Sequence, residues 1–326
     1  MHQIYRCACN PKGQRLLTTA MNEQRTTHGV WDHLLLLLLA AIWGSSFILM
    51  KIGLFGWSPV ESGPVMDGIQ LGLLRIFLAG IVLLPFAMRH VRGLDRVTWL
   101  GLAVNGFIGS LIPAILFAWA QMRLPSAVAG MLNALSPLWT VIIAVAFFGT
   151  TVARRQWLGL LIGFAGAVGL MSLRDAAGTV HFGAACLLLV ATACYGLSIN
   201  VVRNRLAGMR AVTISALALS MTAIPAGLGF LLCGGWTAIS GHPNAVPSLW
   251  AVAVLAWVGT AGALMLFNAL IQRTDALFAS AVTYVIPLFA LFWGWWDGEW
   301  LGWPHLIFGA IVLSGVRLVA GGARQK

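Results

Sequence analysis

Charged residues are scarce. Asp, Glu, Lys and Arg make up 9% of the 326 residues, while 60% of the chain is hydrophobic. A soluble globular domain carries about a quarter charged residues. A water-soluble fold of this composition would lack the polar surface to cover itself, and the mean hydropathy of +0.88 agrees. The chain therefore reads as an integral membrane protein. Acid is scarcer than base, with nine Asp and Glu against twenty Lys and Arg. All nine acidic residues fall in the N-terminal tail, in loops or at helix ends, and the seven His lie in the tail or near span ends. Proton-driven carriers commonly keep a carboxylate within the membrane, so the pattern argues for facilitated diffusion or exchange.

Other absences narrow the class further. The five cysteines, Cys7, Cys9, Cys186, Cys194 and Cys233, are scattered and form no disulfide framework or paired metal-ligand pattern. No Gly-rich loop ending in Lys-Ser/Thr is present, so this chain does not hydrolyse ATP. No metal, nucleotide or covalent cofactor is expected. Nucleic acid is not an expected partner, because the net charge of +11 is spread over short breaks between apolar runs rather than gathered in a basic patch or helix. No segment alternates with period two over the length of a barrel strand.

What the chain has is long apolar runs. A spanning helix needs about 20 mostly apolar residues, and ten such runs occur, near 34–54, 69–87, 99–119, 127–148, 157–173, 182–202, 212–233, 249–271, 276–296 and 301–320. The breaks carry turn chemistry or charge, as in Trp57-Ser58-Pro59, Gly241-His242-Pro243-Asn244 and Asp297-Gly298-Glu299. Residues 1–33 form a polar, basic tail, with Met21 an alternative start to Met1, and 321–326 form a second short tail.

Lys and Arg set the expected orientation. With the N-terminus in the cytoplasm, only Arg123, Arg174 and Lys51 fall at the far face, Arg75 and Arg317 lie within spans, and every other Lys and Arg is cytoplasmic. An even number of spans returns the C-terminus to the same side. Trp31, Trp57, Trp99, Trp157, Trp250, Trp300 and Trp303 cluster near span ends, where indole rings suit the headgroup region.

The chain also resembles itself at a shift near 150. Between Leu116–Leu138 and Leu266–Leu288, matches fall at Phe117/Phe267, Arg123/Arg273, Ala129/Ala279 and Pro137/Pro287, among others. Five spans per copy make the second copy inverted, so the expected domains are a first repeat over 34–174 and a second over 180–320. Inverted repeats flanking a midplane site are a mark of secondary transporters.

Several of these stretches resemble the EamA family of the drug/metabolite transporter superfamily. They are Ala41-Ile42-Trp43-Gly44-Ser45-Ser46-Phe47 followed by Lys51, then Leu74-Arg75-Ile76-Phe77, Ala134-Leu135-Ser136-Pro137-Leu138, Tyr284-Val285-Ile286-Pro287-Leu288 and Gly298-Glu299. The first copy has Gly149-Thr150 where the family usually has Gly-Glu. The resemblance implies ten helices and transport of a small metabolite, often export of an amino acid, across a bacterial-type inner membrane. Monomer and homodimer both stay open. The alternative is an intramembrane enzyme acting on a lipid or peptide, which would require a catalytic cluster.

Polar groups within a bilayer are costly and call for a partner or a purpose. The expected solute-binding residues are Trp43, Ser46, Asn133, Ser136, Tyr195, Thr283 and Tyr284, with helix packing as the competing role for each. Trp43 offers a stacking or cation–π face. Pro137 and Pro287 free backbone carbonyls near the polar residues, and together with Arg75 they are expected to be structural or gating. Asn105, Asn200 and Asn268 are further candidates for interhelical bonds or the cavity. Lys51 is read as a snorkelling anchor, and Leu36 as lipid-facing.

Overall fold

The computed structural model describes residues 29–57, 63–175, 178–179, 181–273, 282–299 and 301–321. The N-terminal tail, with Cys7 and Cys9, the start of the 276–296 run, Trp300 and the C-terminal tail lie outside the described residues, as does the side chain of Asn268. Among the described residues, the chain is an all-helical membrane protein of ten spanning helices in two five-helix repeats.

In the first repeat, α1 is Val30–Phe55, α2 is Gly68–Met88, α3 is Arg96–Gln121, α4 comprises Ser126–Asn133 and Ser136–Phe148, and α5 is Arg154–Met171. In the second, α6 is Phe182–Arg205 and α7 is Ala211–Leu232. Helix α8 runs as Ala245–Ala256, Trp257–Gly262 and Ala263–Arg273, followed by α9, Val282–Trp296, and α10, Trp303–Gly321. Seven of these are apolar over at least 18 residues; α5 begins with Arg154 and Arg155, and α9 and the apolar part of α10 are shorter. A two-residue antiparallel pairing, Arg174–Asp175 with Gly178–Thr179, joins the repeats, a small exception to the all-helical expectation.

Local chemistry explains several helix ends. Asp67 opens α2 in a reciprocal capping box, accepting from Gln70 N at 2.7 Å while its own N–H donates to Gln70 Oε1 at 2.9 Å. Asp95 caps α3, and hydrogen bonds from Thr98 hold its carboxyl below the ordinary value. Gly149 ends α4 in the left-handed region at φ +65°, a conformation that costs glycine little.

The continuous helix expected over 127–148 is instead broken at Ala134–Leu135. Pro137, near the start of the second half, has no N–H to give and crowds the preceding turn. Pro287 lies inside α9 without breaking it. Helices α3 and α8 each contain a π-helical stretch, Val104–Leu111 and Trp257–Gly262, which periodicity did not foretell.

The packing obeys the repeat. The most extensive contacts are α2 on α7 and α5 on α10, the two pairs that five-helix exchange maps onto themselves. Helix α1 packs on α8 and α9, and α6 correspondingly packs on α3 and α4. Small residues permit the closest approaches: a Cβ at Gly159 of α5 would lie 2.7 Å from the Gly315 carbonyl oxygen of α10. The outer faces carry exposed Leu37, Leu38, Leu161, Val168, Leu231 and Leu232, apolar surface suited to lipid. Trp31, Trp57, Trp157, Trp250 and Trp303 are exposed near helix ends. Leu36, expected on that lipid face, is buried; the exposed neighbours are Leu37 and Leu38.

Candidate solute site

A cavity of about 290 Å³ lies within the bundle, lined by residues from α1 to α4 and α6 to α9. Its walls come in pairs related by the repeat. On α1, Trp43 faces Phe267 of α8, with ring centroids 5.1 Å apart. On α6, Tyr195 faces Phe117 of α3 at 6.0 Å. One turn along, Ser46 of α1 abuts Gly259 of α8, and Ser198 of α6 abuts Gly109 of α3. Trp43-Gly44-Ser45-Ser46 thus corresponds to Tyr195-Gly196-Leu197-Ser198. That correspondence is visible in the sequence at a shift of 152 but is too short to stand out from chance.

The two π-helical stretches form the facing walls. Ser110 donates to the Asn105 carbonyl at 3.3 Å, and Thr260 donates to the Leu255 carbonyl at 3.0 Å, each hydroxyl reaching back five residues. π-Bulges often occur at functional sites, and here both border the same cavity. Gly109 and Gly259 leave room for the serines: a Cβ at Gly109 would lie 2.6 Å from Ser198 Cβ.

The expected site residues divide. Trp43, Ser46, Asn133, Ser136, Tyr195 and Thr283 line the cavity together. Trp43 Nε1 donates to the Gly259 carbonyl at 3.2 Å, fixing the indole against the π stretch of α8. Ser46 and Ser136 donate to backbone carbonyls of Ile42 and Asn133, at 3.0 and 2.8 Å. Tyr284 does not belong to the group: its hydroxyl donates to the Val316 carbonyl of α10 at 2.9 Å. Thr283 is among the lining residues and Tyr284 is not. Pro137 and Pro287 are not among the lining residues. Asn105 lines the cavity and accepts from Ser198 Oγ at 2.8 Å. Asn200 is outside it, donating to the Thr140 and Gly196 carbonyls, both at 2.9 Å.

Arg75, from α2, lines the cavity as well. Its Nε donates to Thr260 Oγ1 at 2.9 Å, and one terminal nitrogen approaches Met50 Sδ at 3.7 Å. The cavity therefore holds a cation, and among the described residues its lining includes no Asp or Glu.

Lys51 is a correction. It pairs with Asp297 and, at 3.2 Å, with Glu299, beyond the end of α9. Glu299 is the carboxylate that sequence position alone left looking like a loop residue, yet its side chain is only 6% exposed. It accepts the Ser126 and Ala127 backbone N–H groups at 2.7 and 3.1 Å, neutralising the positive end of the first half of α4. One carboxylate thus ties α1, α4 and α9 at one end of the bundle. Thr150, its counterpart in the first repeat, offers no charge.

Two copies of the family model for EamA-like transporters match the chain, over residues 30–172 and 182–321. The chain belongs to this family. It is a transporter of small solutes, not an enzyme, and this sets aside the alternative of lipid or peptide modification. An uncharacterized inner membrane transporter of Escherichia coli K12, YedA, is 26% identical over 294 residues, spanning 85% of this chain and 88% of the relative. A probable terminal-alkyne amino-acid exporter of Streptantibioticus cattleyicolor is 23% identical over 300 residues, 90% of this chain and 94% of the relative. A solved crystal structure, 17% identical, matches with a TM-score of 0.57 over 90% of this chain and 98% of that one, a likeness of fold. Among the described residues no cluster of His, Cys, Asp and Glu has the arrangement of a metal site.

Proposed function

We propose that this EamA transporter moves an amino-acid-sized metabolite across the inner membrane by alternating access, with the cavity as solute site and both termini cytoplasmic. The observation that carries the reading is the equivalence of the two walls. Trp43, Phe267, Ser46 and Gly259 on one side correspond to Tyr195, Phe117, Ser198 and Gly109 on the other. A site built equally from two inverted repeats can be opened to either face by exchanging their conformations. Aromatic walls with a few oriented polar groups suit a small, partly apolar solute. The amino-acid exporter among the relatives favours the same solute class, and export is the proposed direction.

The Lys51–Glu299 contact is proposed as a latch that closes the outer end while the inner end is open. The test is counterflow in proteoliposomes loaded with individual amino acids. Exchange of labelled for unlabelled solute, unchanged when an uncoupler collapses the proton gradient, is the expected result. Absence of exchange for every amino acid contradicts the solute class, and loss with uncoupler in sealed vesicles contradicts the uncoupled mechanism.

A further inference from the structure

We propose that Arg75 is the docking group for a carboxylate on the transported solute, so that the carrier selects molecules bringing one negative charge into the cavity. This rests on the reading of the cavity as the solute site and adds the chemistry by which that site chooses.

The polarity of the cavity is uneven although its aromatic walls are symmetric. Where α2 contributes Arg75 and Ile76, α7 contributes Ser215, Ala218 and Leu219, with no charge. Among the described residues, Arg75 has no carboxylate partner: the ion pairs there are those of Lys51 with Asp297 and Glu299. A cation within a membrane protein ordinarily pairs or snorkels to the interface. Arg75 instead lies inside α2 and turns into the cavity, where Thr260 of α8 holds its Nε at 2.9 Å.

That contact does not use up the guanidinium. Thr260 is itself oriented by donation to the Leu255 carbonyl, so its oxygen is presented to Nε and helps fix the guanidinium plane. The terminal nitrogens have, among the described residues, only the thioether of Met50 at 3.7 Å, a weak acceptor. A planar fork with its end unspent matches the two oxygens of a carboxylate. The bound solute would supply the counter-charge that the described lining residues do not.

The competing role is a strut, in which Arg75 only ties α2 to α8 through Thr260. A strut affects stability and transport of every solute alike, whereas a docking group discriminates between an acid and its uncharged analogue. The experiment is a thermal-shift titration of the purified full chain in detergent. The panel is L-leucine, L-methionine, L-phenylalanine and L-threonine, each with its amide and its decarboxylated amine. The wild type should bind at least one acid about tenfold or more tightly than its amide and amine, the scale of a charge-assisted hydrogen bond. Arg75→Gln should lose that preference while its ligand-free melting temperature keeps to that of Arg75→Lys. Equal binding of acids and amides by wild type, or an acid preference that survives in Arg75→Gln, overturns the proposal while leaving the carrier reading intact. Binding of no member of the panel overturns both the carboxylate site and the amino-acid solute class. If Arg75→Gln does not fold, the acid-over-amide preference of wild type and its weakening in Arg75→Lys, which keeps charge but loses the fork, decide the matter.

Discussion

Lys51, near the C-terminal end of α1, donates to the Glu299 carboxylate at 3.2 Å, and that carboxylate also receives the two N–H groups that open α4. The contact joins residues 248 positions apart and ties the first repeat to the second. Glu299→Gln keeps the size of the side chain but removes the charge that both Lys51 and the α4 terminus use. It should lower stability by roughly 1–3 kcal/mol, the cost of weakening a buried charged hydrogen-bond set. It should also raise the labelling rate of a cysteine placed in the cavity by an impermeant reagent added from the outer side. Unchanged melting temperature and unchanged labelling would deny the latch.

Trp43→Ala should reduce counterflow by removing one aromatic wall and its bond to Gly259, and Asn133→Leu should do so by removing an amide from the lining. Membrane insertion should be intact in both. Leu37→Ala, on the exposed face of the same helix as Trp43, should transport like wild type at equal expression. If all three variants behave alike, the polar and aromatic lining has no part in handling solute.

The glycines opposite the two serines should differ in tolerance. At Gly109 an added methyl meets both the Oγ and the Cβ of Ser198, whereas at Gly259 it meets the Ser46 hydroxyl at 2.9 Å, which can rotate away, and the end of the Leu255 side chain at 3.3 Å. Gly109→Ala should destabilise by about 1–3 kcal/mol, as overpacking commonly does, and Gly259→Ala by less. Thermal unfolding of the two variants measures the order, and the reverse order would contradict the described packing of α3 on α6.

The spans were legible because a bilayer demands long apolar runs, and the charged breaks placed their ends within a few residues. The break in α4 was harder. Pro137 announced a disturbance, but the interruption falls ahead of it, at Ala134–Leu135, because a proline obstructs the preceding turn. The π-helical stretches left no readable mark, since Val104–Leu111 and Trp257–Gly262 are as apolar as their flanks. Part of the polar cavity lining was legible through the cost of polar side chains in lipid, but Ser110, Ser198, Ser215 and Thr260 were not singled out. Tyr284 was misread because its hydroxyl finds a backbone carbonyl on α10, a partner that composition cannot reveal. For the same reason Lys51 looked like an anchor: its partner Glu299 belongs to the other repeat.

Alternating access makes one demand that no channel, fixed pocket or structural bundle meets: the same residue must be reachable from either side of the membrane, but not from both at once. Asn133 lines the cavity, so Asn133→Cys, in a chain whose five native cysteines are replaced, is the most direct probe. Impermeant maleimide should label it in both right-side-out and inside-out vesicles while the vesicles stay sealed to small ions. A transported solute should slow labelling from each side. Labelling from one face only, whatever solute is present, would contradict the account.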